Sequence, residues 1–198
     1  MDVKDLFLMQ HGAVHSKEVG GNPGSVAERT FGGLTADQMK VRPREDLNSI
    51  AWLMWHIARA EDIMLNAVIS GRDQVFADGW MTKLGIARKD FGIGMKSAEV
   101  TELTQQIDVA ALREYRDAVG KRTREIVGSF KEADWGGNIE PPALERAAAQ
   151  GAFGEALVKA FSHRPKVAVM NGIALFHASG HMGEAVTVRS AGGFGTGV

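Results

Sequence analysis

An all-α fold is what this sequence predicts, with four long helices forming a four-helix bundle and no strand. Three observations carry that expectation. Apolar residues recur at steps of three and four over long stretches, the pattern of amphipathic helices. Ala is frequent, whereas the chain holds one Tyr and few β-branched runs, which favours helix over sheet. Ser49 and Asp108 stand at the heads of two such stretches, where their side chains can cap the first turn.

The chain of 198 residues is expected to form one domain, 1–198, with 192–198 as a loose Gly-rich tail. A formal net charge of −1 leaves no basic footprint for nucleic acid. With no Cys there is no disulfide and no thiol nucleophile from the protein itself. No basic segment leads an apolar run at the start, and nothing approaches the ~18 apolar residues of a membrane span. A soluble, cytoplasmic protein with no nucleic-acid or membrane partner is expected.

Taken in order, Asp2 to His15 reads as a first helix, interrupted soon after by Gly20-Gly-Asn-Pro-Gly24. It carries His11 and His15 four apart, a rival metal pair. His11 is placed to line a cleft and His15 to face solvent. Ser25 to Phe31 resumes a helix, and Leu34 to Pro43 reads as a capped turn with a Pro stop. From Ile50 to about Ser70 a second long helix has Ile50, Leu53, Met54, Ile57, Met64, Leu65 and Val68 as its apolar stripe. Trp55, Arg59, Asp62 and Asn66 form its expected wet side. His56 lies beside the stripe, near Trp52, looking into a cleft. Glu61 falls within the stripe, so it needs a partner on a neighbouring helix or backbone; a supporting role behind a metal ligand is the alternative.

Residues 73–108 form a long connection with Trp80, Phe91-Gly-Ile-Gly-Met95 and a short helix from Ser97 to Leu103, read as a lid over a cleft. Asp108 to about Phe130 is the third long helix, with Arg113, Arg116, Lys121 and Arg124 as a solvated face. A loop to Pro142 comes next, then an Ala-rich stretch to Phe161 with a short helix. The fourth long helix runs from Lys166 to Ser190.

That last helix carries His177 and His181, whose four-residue spacing puts both rings on one face. Met170, Ile173, Ala174 and Val188 share the side, so the rings point into a core. Two readings stand: ligands to one metal ion, or hydrogen-bonded core histidines. Ala178 occupies the place of the glutamate in a metalloprotease helix. Glu184, one turn on, can accept the second ring N–H of a ligating histidine. Leu175, Met182 and Val186 line the opposite side with small residues between, so the helix is apolar all round, which predicts a homodimer through it.

Asn48-Ser-Ile-Ala-Trp-Leu-Met-Trp-His-Ile-Ala-Arg-Ala-Glu-Asp62, followed by His177-Ala-Ser-Gly-His-Met-Gly-Glu184, resembles the DinB / YfiT-like superfamily. Leu34-Thr-Ala-Asp-Gln-Met39 and Asp78-Gly-Trp80 extend the resemblance over most of the chain. It implies an up-up-down-down bundle, a dimer, and a divalent metal, zinc or nickel, on His56, His177 and His181. Characterised members include transferases and isomerases that use a low-molecular-weight thiol such as mycothiol or bacillithiol. Three His ligands leave a coordination position open. The expected chemistry is therefore thiol S-transfer, with the thiol supplied by a small cosubstrate. Trp52, Trp80, Phe91, Met95 and His11 would border the electrophile, and Glu184 would orient a ligand, with Glu61 as a further candidate. Metal-assisted hydrolysis and a non-catalytic, metal-stabilised binding protein are the alternatives.

Overall fold

The computed structural model describes residues 1–77 and 79–197; Asp78 of the Asp78-Gly79-Trp80 run and Val198 lie outside the described residues. Helices account for all the regular structure among them, and the sole extended contact is an isolated bridge between Asn138 and Pro165. No helix among them is long and apolar enough to cross a membrane.

The N-terminal segment holds α1 (Val3–Val14), α2 (Lys17–Gly20), α3 (Val26–Phe31) and α4 (Ala36–Lys40). Asp2 caps α1 by accepting from the Asp5 N–H at 2.8 Å, and Thr35 with Gln38 forms a reciprocal capping box on α4. α5 (Ile50–Glu61) is capped by Ser49, whose Oγ accepts from the Trp52 N–H at 3.0 Å. It runs on into a π-helical stretch, Asp62–Ile69. The connection contributes α6 (Trp80–Leu84) and α7 (Ser97–Gln106), and α8 (Val109–Gly128) starts at the Asp108 cap.

Two helices, α9 (Pro141–Ala149) and α10 (Glu155–Phe161), occupy the Ala-rich stretch where one was expected. Pro141 opens α9, where its missing N–H costs nothing. The last long helix consists of α11 (Lys166–Asn171), a π-helical stretch Gly172–His177 and α12 (Ala178–Ala191), continuous in right-handed helical backbone across both joints.

α5 is the axis. Every one of its residues is buried, and it packs against α8 and α12, while α1 packs on α8 and on the π stretch before α12. The expected wet side of α5 is not wet. Trp55, Arg59, Asp62 and Asn66 are all buried, because the connection folds over them. Asp62 accepts from the Val75 and Phe76 N–H groups at 2.9 and 3.0 Å and from the Tyr115 hydroxyl at 2.7 Å. It also accepts from Asn66 and pairs with Arg59, each at 3.1 Å. Five donors compensate for burying this carboxylate, which is why a charged residue can occupy the core. Burial and the neighbouring Asp62 push the Tyr115 hydroxyl well above its usual range, against the pull of Arg59, so it stays a donor.

The arginines of α8 are likewise not a solvated face. Arg116 is buried and donates to the Val14 carbonyl at 2.6 Å; Arg124 reaches the Leu8 carbonyl at 2.7 Å; Arg113 reaches the Phe31 and Leu34 carbonyls at 3.1 and 3.2 Å. Val14 and Phe31 are the last residues of α1 and α3, so Arg116 and Arg113 satisfy carbonyls a helix end leaves unpaired. The Phe194 N–H donates to the Arg189 carbonyl at 3.0 Å, and Arg189 Nη1 donates to the Thr30 and Gly32 carbonyls, each at 3.0 Å.

Candidate metal centre

His56 projects from α5 toward the last helix and meets His177 and His181. The Nε2 atoms of His56 and His177 lie 2.9 Å apart. The ring centroids of His181 are 4.6 Å from both other rings, at nearly right angles to them. Each ring offers a nitrogen, and these nitrogens all lie within 4.8 Å of one another.

Two of the rings are held from behind. His56 Nδ1–H donates to the Phe91 carbonyl, which leaves Nε2 as the bare nitrogen facing the cluster. His181 Nδ1 bonds Glu184 Oε2 at 2.9 Å, and Asn48 Nδ2 donates to the other Glu184 oxygen at 3.1 Å. The third ring differs: His177 Nδ1 is buried without a partner.

Burial holds His56 down to about 4, against the Phe91 bond that raises it, and the neighbouring His181 adds to the lowering. Burial, then His56 and His181, bring His177 down to about 3. Both rings are therefore neutral near pH 7, the form that donates a lone pair. The bond from His181 holds the Glu184 carboxyl below its usual range, so it stays an acceptor.

Around the rings the wall is apolar. Trp52 stacks on His56 at 4.8 Å and 11°, and its Nε1 points at the Met95 sulfur, 3.2 Å away. The Phe91 ring lies 5.9 Å from the His56 ring. Between Phe91 and Met95 the chain passes so close to the tryptophans that only glycine fits. Gly92 has φ of +88°, and a Cβ there would stand 2.8 Å from both the Trp52 and Trp55 rings. Half-buried His181 and Glu184, 27 and 33 % exposed, open the cluster to one side.

Of the residues expected at this site, His56, His177, His181, Glu184, Trp52, Phe91 and Met95 come together. Three do not. Trp80 packs on Tyr115 at 5.5 Å and under Lys83, because α6 turns toward α8. His11 lines no cleft: it is fully buried, with Nε2 3.0 Å from Glu61 Oε1. Glu61 bonds His11 and also His15, at 2.9 Å, so it supports none of the three clustered rings. His15, expected in solvent, is buried, and burial lowers it to about 3 against the pull of Glu61. These three residues form a second group whose ligand-type atoms lie within 4.8 Å of one another. From the sequence Asn48 reads only as part of a motif, since a polar residue ahead of a helix gives no sign of what it reaches. The Phe91 carbonyl leaves no trace in the sequence because any residue has one.

A sequence profile of the DinB superfamily matches residues 25–164. The chain belongs to the DinB superfamily. The match includes His56 and stops short of His177 and His181. Among solved structures, this DinB chain is similar to a conserved protein from Enterococcus faecalis, at 20% identity and a TM-score of 0.65. The alignment covers 96% of this chain and 97% of that one, a likeness of fold. No curated protein sequence matches significantly.

The donor set fits a divalent metal ion. Three imidazoles with nitrogens within 4.8 Å of one another, His56 and His177 among them neutral, suit a cation of zinc-like softness. Two of them already carry the hydrogen-bonded Nδ1 that ligating histidines show.

Proposed function

We propose that the protein is a metal-dependent transferase that activates a low-molecular-weight thiol at the His56–His177–His181 cluster, with zinc or nickel as the metal. The observation that carries this reading is the convergence of three histidine rings at one open-sided, apolar-walled spot in a chain without cysteine. Three protein ligands leave room for a fourth from outside. A bound divalent cation lowers the pKa of a thiol or water that joins it.

The chain's own residues do the rest. The Phe91 carbonyl and the Asn48–Glu184 pair fix the rings of His56 and His181 with Nε2 forward. Trp52, Phe91 and Met95 exclude water from one side and offer a surface for an apolar electrophile. Hydrolysis is the weaker reading, because both Glu184 oxygens are engaged and no other carboxylate among the described residues bonds to the three rings. A general base for water is therefore missing from the centre.

The test is to load the full chain with zinc or nickel and assay conjugation of common cellular thiols to model electrophiles. Metal-dependent turnover with a thiol is the expected result. No turnover with any thiol, alongside metal-dependent ester cleavage, would transfer the assignment to hydrolysis.

We also propose that the protein works as a homodimer through the last helix. Leu175 and Met182, expected to face a partner, are buried within the chain itself. What remains outward is Phe176, 75% exposed, with Ser179, Gly180 and Gly183 along the same side.

A further inference from the structure

The group formed by His11, His15 and Glu61 takes no part in the proposed chemistry. It lies where α1 meets α5, and its three side chains are at most 1% exposed. His11 Nε2 is 3.0 Å from one Glu61 oxygen and His15 Nε2 is 2.9 Å from the other. Tetrahedral bonds of about 2.0–2.2 Å set neighbouring donors roughly 3.3–3.6 Å apart, so these donors need part by only a few tenths of an ångström to admit an ion. Two imidazoles and both carboxylate oxygens supply four donor atoms, enough to close a shell without water.

Nδ1 of His11 and of His15 are both buried without a partner, so neither ring has the outer hydrogen bond that His56 and His181 carry, and the site rests on its Nε2 and carboxylate donors. Arg116 lies in the field of Glu61, Asp117 and Glu28, with Arg113 as the neighbouring guanidinium.

The pocket is shaped around the ring of His15. A Cβ on Gly120 of α8 would stand 2.6 Å from its Cε1 and Nδ1. The two rings stack at 4.2 Å and 29°.

We propose that His11, His15 and Glu61 form a second divalent-cation site, closed to solvent and structural in role, which ties α1 to α5. It stands independently of the thiol-transfer reading. Because the group is sealed, the ion enters as the chain folds.

The test counts metal in the full chain refolded with zinc and freed of excess. The wild type should hold two equivalents and H177A/H181A one. Adding E61Q to that double variant should remove the last. A double variant holding no zinc overturns the proposal, and so does an equivalent that survives E61Q; protons on the two rings would then be what Glu61 binds. Should E61Q fail to fold, zinc X-ray absorption on H177A/H181A decides. Two imidazole nitrogens with carboxylate oxygen support the site, and a shell of water oxygens overturns it.

Discussion

His181 is the most firmly oriented of the three clustered rings, because Asn48 holds Glu184 and Glu184 holds the ring. Removing either support should loosen the metal without unfolding the chain. E184Q and N48A are each expected to weaken zinc affinity by about 10–100-fold, measured by chelator competition. At Asp62, Y115F deletes one of five donors to a buried carboxylate. A loss of about 1–3 kcal/mol in denaturant unfolding is expected. The depressed histidines set a pH dependence for the metal-free chain. His56, His177 and His15 fall to about 4, 3 and 3 from 6.5. Between about pH 4 and 6.5 the unfolded chain therefore binds more protons, and stability falls as pH falls. The thermal midpoint of the chelated protein should drop from pH 7 to pH 5; a flat profile would mean the rings take up protons without cost.

The two helices that carry the cluster both contain π-helical stretches, and one of them ends at His177. A π turn holds an extra residue, so deleting Gly172 should relax the stretch to regular α-helix and shift His177, its last residue, relative to His56. Loss of zinc binding with helical circular dichroism retained is the expected outcome. Gly92→Ala meets both a left-handed backbone and two tryptophan rings. It should destabilise the chain by about 1–3 kcal/mol and weaken zinc binding, since Phe91 next to it anchors His56. At this scale the sequence is readable where a period or a cap speaks. The α1, α5 and α8 starts follow from Asp2, Ser49 and Asp108. The His177–His181 face follows from spacing. Spacing says nothing about what covers a helix from outside, so it puts Arg59, Asp62, Arg116 and His15 in water. Each is polar, and each is buried only because a distant segment brings donors or acceptors to it.

For the whole molecule, sedimentation at micromolar concentration should show a dimer, and F176E should shift it toward monomer. A wild-type monomer would remove the dimer proposal. The meeting of His56 with His177, 121 positions away in sequence, is legible through resemblance to a family and not from the pattern of either helix alone. The docking of residues 1–34 has another kind of invisibility. Arg113, Arg116 and Arg124 grip them by main-chain oxygen, which every residue supplies. Substitutions there can accumulate without releasing the grip. The family profile begins at residue 25, inside this segment, and the likeness of fold spans 96% of the chain.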